Sequence, residues 1–439
     1  MTPGARLQAA IELLDDVVRG GAADAACSAY FRSRRYIGSK DRAAIAERLY
    51  ALLRARARLD WWLAAAGGAP PTARACVIAH LALTDGWRIK DFGPCFDGGP
   101  YRPAALSADE RRLVERLAGH ALDHPDQPAW VRGEYPAWLA DAVGPTGALP
   151  EPELRALNAP APLDLRVNPL AASREQALAG LTEAGIRAQP TVFSPHGLRV
   201  VGRPPLGQLP VFRDGWVEVQ DEGSQLVALL ADARPGQAVM DLCAGAGGKT
   251  LALAASMRNR GRLIACDISA KRLERAVKRL RRAGVHNVER RALGPDANAW
   301  LKRQAGRFDR VLVDAPCSGT GTWRRNPDMK WRIGPDEVAA LRRTQDEVLD
   351  RAARLVKPGG RLIYATCSLL PAENELAIDA FLARHGDYRV LPVAEVWAGL
   401  LAAACPVDGP YLRLTPARHG TDGFFAAILE RAQAAQAAA

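Results

Sequence analysis

The sequence contains no apolar run near the ~20 residues that a membrane-spanning helix needs, so no transmembrane segment is expected. It has no CxxC pair and no Cys/His cluster at zinc-ligand spacing, and its 8 cysteines are scattered over 439 residues. A disulfide-stapled secreted scaffold and a zinc module are both excluded on that pattern; reduced thiols in a cytoplasmic protein, with no metal, are expected. The opening stretch, MTPGARLQAAIELLDDVVRGG, lacks the charged head, apolar middle and cleavage site of a signal peptide. It reads instead as an amphipathic helix carrying Glu12, Asp15 and Asp16. There is no internal repeat.

What is present is the balance of a soluble globular chain, with 48% hydrophobic and 24% charged residues. At ~150 residues per domain, the length predicts roughly three domains. The 59 Lys+Arg against 48 Asp+Glu leave a formal charge of +11, which favours an anionic partner such as nucleic acid. An arginine-rich proteome produces the same excess, so charge alone decides little.

The first 90 or so residues read as successive helices, with Leu7, Ala10, Ile11 and Leu14, then Ile45, Leu49, Leu52 and Leu53, at helical spacing. Between them, FRSRRYIGSKDR groups Arg32, Arg34, Arg35, Lys40 and Arg42 around Phe31 and Tyr36. That mixture suits a nucleic-acid surface as well as it suits a solvated loop. A further helix is expected around SADERRLVERLAGHAL, and the Pro- and Gly-rich stretch from Gly144 to Pro162 reads as a linker. LDLRVNP, a helix around Arg174–Ala184 and broken strands up to Trp216 predict a small α+β domain. From about Gln220, strands (AVMDLC, RLIACD, RVLVDA, RLIYAT) alternate with helices (Lys249–Met257, Ala270–Ala283, Pro335–Val356), as in an open parallel sheet. YLRLTP and GFFAAILE would append a hairpin to it. The expected domains are a helical one over 1–145, the α+β domain over 146–215, the α/β domain over 216–432, and a disordered tail over 433–439.

DLCAGAGGKT sets a glycine-rich turn between a strand and a helix, where backbone N–H groups face a ligand. It is not a Walker loop, because Cys243 stands where the first glycine belongs. It is not the dinucleotide fingerprint either, because Thr250 replaces the third. A nucleoside loop remains, with Asp267 closing the next strand to accept ribose hydroxyls; a helix-capping Asp is the plainer alternative. S-adenosylmethionine (SAM) fits that layout, having a ribose and an amino-acid tail but no phosphate.

Two thiols, Cys317 in DAPCSGTG and Cys367 in ATCS, close neighbouring strands. Cys27, Cys76, Cys266 and Cys405 read as ordinary hydrophobes. Methylation of cytosine carbon 5 needs a thiolate, since addition to carbon 6 makes carbon 5 nucleophilic. Asp314 is placed to bind the pyrimidine edge. Arg324, Arg325, Lys330 and Arg332, with Trp323 and Trp331, are expected to hold the backbone of a splayed-out nucleotide.

DAPCSGTG, RRNPDMKWR, LVKPGGRLIYATCS and PAENE resemble the motifs of the NOL/NOP/Sun family of RNA cytosine-5 methyltransferases, from about Leu163 to Glu430. SKDRAAIAERLYALLR is similar to a NusB-like RNA-binding domain found in bacterial 16S rRNA methyltransferases, and LDLRVNP to the start of the family's ferredoxin-like domain. The resemblance implies a Rossmann-like class I SAM-dependent methyltransferase domain, preceded by a small ferredoxin-like α+β domain and an all-helical NusB-like domain. It implies Cys367 as nucleophile and Cys317 as the cysteine that helps resolve the adduct. It also implies Cys243, Ala244, Gly245, Ala246, Gly247, Gly248 and Lys249 as the cofactor loop, Asp267 as the ribose acid and Asp314 as the acid between cofactor and base. Arg272 matches a basic cofactor-site position of some members. Ala246 stands where the family often has Pro, and Asp296 lies about two residues late for the family's adenine-site acid, so it is not assigned. Small-subunit rRNA is the expected substrate, tRNA a possible other one, and a monomer the expected state. A non-catalytic assembly factor that keeps the fold is the rival; both cysteines and both acids speak against it. A DNA cytosine-5 enzyme would need a large recognition insert, and an amino-methylating enzyme a [DN]PP[YF] tetrad; neither is present.

Overall fold

A computed structural model describes residues 1–67, 70–140 and 149–433. Part of the expected linker, 144–148, and all but the first residue of the expected tail lie outside the described residues. The chain forms two compact units: Met1–Ala159 with Trp323–Gly334, and Pro160–Thr322 with Pro335 onward.

The first unit is helical, with its main helices at Pro3–Val18, Ala23–Ser33, Ser39–Arg54, Arg56–Ala65, Ala73–Thr84 and Ala108–Leu117. The heptad-like positions read from the sequence do form its core: Leu7, Ala10, Ile11 and Leu14 are buried, as are Ile45, Leu49, Leu52 and Leu53. Ser107 starts the last of these helices with a capping box, its hydroxyl accepting from the Glu110 N–H while the Glu110 carboxylate accepts from the Ser107 N–H. In the basic cluster, Phe31 packs against the core and Arg34 lies over the Tyr30 ring at 3.8 Å, leaving Arg32, Arg35, Tyr36 and Lys40 exposed.

Two boundaries differ from expectation. The expected linker contains a helix, Glu151–Asn158, whose Leu154 and Leu157 are buried, so the helical unit runs to Ala159 and not to 145. Pro at its first turn and the acids Glu151 and Glu153 there are a start signal that the surrounding prolines obscure. The helical unit is also not one continuous stretch, because Trp323–Gly334 belongs to it.

The second unit holds two sheets. In the smaller, β1 (Leu163–Val167), β2 (Ala188–Pro190), β3 (Gly197–Val200) and β4 (Val217–Val219) pair antiparallel in the order β2-β3-β1-β4. The helix Arg174–Glu183 covers it, through Ala177 and Leu181. The larger sheet contains β5 (Ala238–Asp241), β6 (Arg262–Asp267), β7 (Val288–Ala292), β8 (Phe308–Asp314) and β9 (Val356–Thr366), all parallel, then β10 (Tyr388–Leu391), β11 (Leu412–Leu414) and β12 (Phe424–Arg431). Its order is β10-β12-β9-β8-β5-β6-β7, with β11 on β12. β11 and β12 are antiparallel, as the expected hairpin requires, and β12 inserts antiparallel beside β9. The central strands are apolar on both faces, as a sheet covered by helices on both sides demands. Order reverses beside β5, and the carboxyl ends of β5, β6, β8 and β9 surround that point.

Candidate functional site

From the end of β5 the chain turns through Leu242–Gly247 into the helix Gly248–Ser256. Gly245 has φ +55° and Gly247 φ +81°, both in the left-handed region. A Cβ on Gly247 would also stand 3.0 Å from the Ala276 Cβ, so space as well as conformation demands glycine there. The Asp267 carboxylate holds this loop to the next one, accepting from the Gly245 N–H at 2.8 Å and the Ser269 N–H at 2.7 Å. The helix Ala270–Arg282 is capped by the Ser269 hydroxyl, which accepts from the Arg272 N–H at 3.3 Å, and not by Asp267; each Asp267 oxygen keeps a further acceptor site. Ile268, the next residue, is 81% exposed, an apolar face open beside the acid.

Lys249 is the residue that would bind phosphate in a nucleotide loop. Here its Nζ donates to Asp314 Oδ2 at 2.7 Å and the side chain is buried, so its charge is already met. The loop therefore offers no free cation for a phosphate, and the layout fits a nucleoside without one. The same pair ties the helix after β5 to the end of β8. Arg272 is exposed on the first turn of the helix Ala270–Arg282, and forms no ion pair among the described residues.

Asp241, fully buried at the end of β5, accepts from the Thr250 hydroxyl at 2.6 Å. Burial pushes its carboxyl up to about 7, with the Thr250 hydrogen bond opposing. Between about pH 4 and 7 the folded protein holds a proton there that the unfolded chain has released, so stability falls as pH rises through that window. Asp241→Asn keeps an acceptor for Thr250 and removes the buried charge. It should raise the unfolding free energy more at pH 8 than at pH 5, by about 2 to 3 kcal/mol, and the melting temperature with it. Equal changes at both pH values would show that Asp241 is not the group responsible.

At the ends of β8 and β9, the Cys317 and Cys367 sulfurs lie 3.5 Å apart, both partly accessible, as free thiols. The hydrogen bond to Cys367, followed by burial, pushes the Cys317 thiol well up. Behind them sits a buried polar network. Glu373 accepts from the Ser318 N–H at 2.9 Å and from the Ser318 hydroxyl, and from Gln345 Nε2 at 3.0 Å. Leu369 N–H donates to the Thr320 hydroxyl at 2.7 Å, Gly321 N–H to the Cys367 carbonyl at 2.9 Å, and Thr366 to Asn374 Oδ1 at 2.6 Å. The two cysteine loops are thereby fixed to one another through backbone and side chain. Glu373 and Asn374 belong to the quoted PAENE motif, but nothing in the sequence assigned them to this task.

The smaller sheet supplies further residues that sequence reasoning missed. Arg166 of β1 is buried and donates to the Gly248 carbonyl at 2.8 Å and to Gln220. Arg279 donates to the Ala246 carbonyl at 2.7 Å and to Glu218 of β4 at 3.0 Å. Both arginines brace the glycine loop from outside. The expectation for Trp323–Arg332 is corrected for Trp323, Arg324 and Lys330, while Arg332 is exposed. These residues are part of the helical unit, where Trp323, Arg324 and Lys330 are buried. Lys330 donates to Asn158 Oδ1 at 2.7 Å, and burial depresses its ammonium to about 7. Arg54 Nη2 donates to the Arg324 carbonyl at 3.1 Å, and Arg56 lies over Trp331. A basic run of this composition reads as surface only while its partners, 172 residues away for Lys330 and 270 for Arg324, are unseen.

A parallel sheet with this order, a glycine loop after β5 and an acid closing β6 define a class I, SAM-dependent methyltransferase. The family model described as 16S rRNA methyltransferase RsmB/F matches residues 228–430, and that of the RsmF/B-like ferredoxin-like domain matches 135–206. The ribosomal RNA small subunit methyltransferase B of Escherichia coli is 32% identical over 407 residues, 90% of this chain and 91% of that protein. Its counterpart from Pseudomonas syringae is 40% identical over 304 residues, 68% of this chain and 66% of that one. The crystal structure of PH0851 superposes with a TM-score of 0.79 at 27% identity, over 98% of this chain and 99% of that one. The chain belongs to the RsmB/F methyltransferase family.

Proposed function

We propose that this chain transfers a methyl group from SAM to carbon 5 of a cytosine in small-subunit rRNA, through a covalent bond from Cys367 to carbon 6. The observation that carries this reading is the pair of thiols 3.5 Å apart at the ends of adjacent parallel strands. The relatives named above, called small-subunit rRNA methyltransferases, support the substrate.

Gly245 to Lys249 and Asp267 would hold the cofactor, with Asp267 on the ribose hydroxyls and Ile268 against the adenine; Arg272 lies at the rim. Bound SAM supplies an electrophilic methyl on a sulfonium. Asp314, held by Lys249, faces the pyrimidine edge. The hydrogen bond to Cys367, followed by burial, disfavours ionisation of the Cys317 thiol, and in this reading Cys367 is the nucleophile. Its sulfur adds to carbon 6, and the electron pair of the 5,6 double bond moves to carbon 5, which takes the methyl. Once Cys367 is a thioether, two causes that raise the Cys317 thiol disappear: the hydrogen bond to Cys367 and its charge. Cys317 then ionises more readily and is placed to take the carbon 5 proton. The C–H pair restores the double bond, and the C–S pair returns to Cys367.

Protein mixed with methyl-labelled SAM and either unmodified 16S rRNA transcript or unmodified tRNA should yield labelled 5-methylcytidine in the 16S transcript. Label in another nucleoside overturns the cytosine-5 reading. Label in tRNA alone moves the substrate to tRNA, and no label with bound RNA restores the assembly-factor reading.

A further inference from the structure

The helix Ala270–Arg282 leaves the Asp267 loop and carries seven basic residues against one acid, Glu274. Two of the seven are spent inside the fold: Arg279 and Arg282 both pair with Glu218. The acid is spent as well, on Arg290 of β7 at 3.6 Å. Lys271, Arg275, Lys278 and Arg281 are exposed and have no carboxylate partner among the described residues.

Lys271, Arg275 and Lys278 stand four and three residues apart, so they neighbour one another on one stripe, opposite the buried Leu273, Ala276 and Leu280. Like charges at that spacing weaken a helix. The stripe continues past the helix end. Asn259 Nδ2 donates to the Gly284 carbonyl at 2.9 Å, which sets the turn carrying the exposed Arg258 and Arg260 against that end. Arg258 and Asn259 both hold a positive φ, +50° and +55°, an uncommon conformation for residues other than glycine. Neither Arg258 nor Arg260 has a carboxylate partner among the described residues. The fold thus presents a strongly basic surface, in which the exposed Glu274 is the one acid of the helix.

We propose that this surface, from Lys271 to Arg281 and on to Arg258 and Arg260, binds the phosphate backbone of the substrate RNA away from the cytosine being modified. This rests on the RNA-methyltransferase reading and adds a second anchor on the catalytic unit, on a helix other than those of the N-terminal unit. Its partner is recognised by charge, so it reads no sequence.

The test uses the full-length protein and unmodified 16S rRNA transcript. In the Lys271→Gln, Arg275→Gln, Lys278→Gln, Arg281→Gln variant, the slope of log K against log salt should flatten by about 2 to 3, at ~0.7 per lost phosphate contact. Arg258→Gln with Arg260→Gln should flatten it by about 1. SAM affinity by calorimetry should stay unchanged, and the melting temperature of the quadruple variant should hold or rise as repulsion is relieved. An unchanged slope in both variants makes the surface merely solvated and overturns the proposal. A marked fall in melting temperature makes the charges structural and also overturns it. If the wild type binds transcript without methylating it, the enzymatic reading fails while the slopes still decide the surface. If the wild type does not bind at all, both fall.

Discussion

Cys367→Ala is expected to abolish methyl transfer and any covalent protein–RNA species while RNA binding persists. Cys317→Ala is expected to trap the bond from Cys367 to carbon 6, because the group placed to take the carbon 5 proton is gone. A denaturing gel after incubation with SAM and transcript should show a shifted band for Cys317→Ala and none for Cys367→Ala. With the two sulfurs 3.5 Å apart, it is the contrast between the two variants that separates their roles. A band with Cys367→Ala and none with Cys317→Ala would reverse them. Activity in both variants would remove the thiol mechanism.

Asp267→Ala should weaken SAM at least tenfold by calorimetry, since hydrogen bonds to a charged group contribute ~1.5–3 kcal/mol each and the ribose offers two. The same change frees the Gly245 and Ser269 N–H groups that the carboxylate now holds. Asp267→Asn, which keeps an acceptor for one of them, should fall between wild type and alanine. Unchanged affinity in Asp267→Ala would take this acid out of the cofactor site and leave it a brace between two loops.

The α/β half was legible because its strands are short apolar runs that alternate with helical periodicity, and because glycine turns and strand-end acids have fixed places in such sheets. The thiol pair was legible for the same reason: strand ends in a parallel sheet converge. Contacts that close over long sequence separations were not. Arg166 lies in an alternating strand and reads as an outward cation, yet it is buried on the Gly248 carbonyl, supplied 82 residues later. Glu373 reads as one acid among several near a helix start, and only the fold shows it gripping the Ser318 loop. Arg324 and Lys330 read as cations for a nucleotide backbone, yet both are buried, as is Asp328 between them. Burial of such groups is tolerable only with partners in place, and those came from helices at the other end of the chain.

The membership of Trp323–Gly334 in the helical unit has a consequence for modularity. The polypeptide passes between the units three times, at 159/160, 322/323 and 334/335. A single proteolytic cut at 159/160 therefore leaves them covalently joined by two further links. A gene fragment encoding only residues from Pro160 onward would carry the 323–334 insert without Asn158, Arg54 and Glu134. Trp323 and the apolar stem of Lys330 would then lack the helices that bury them. A cut of the gene at 159/160 therefore does not separate the two units cleanly.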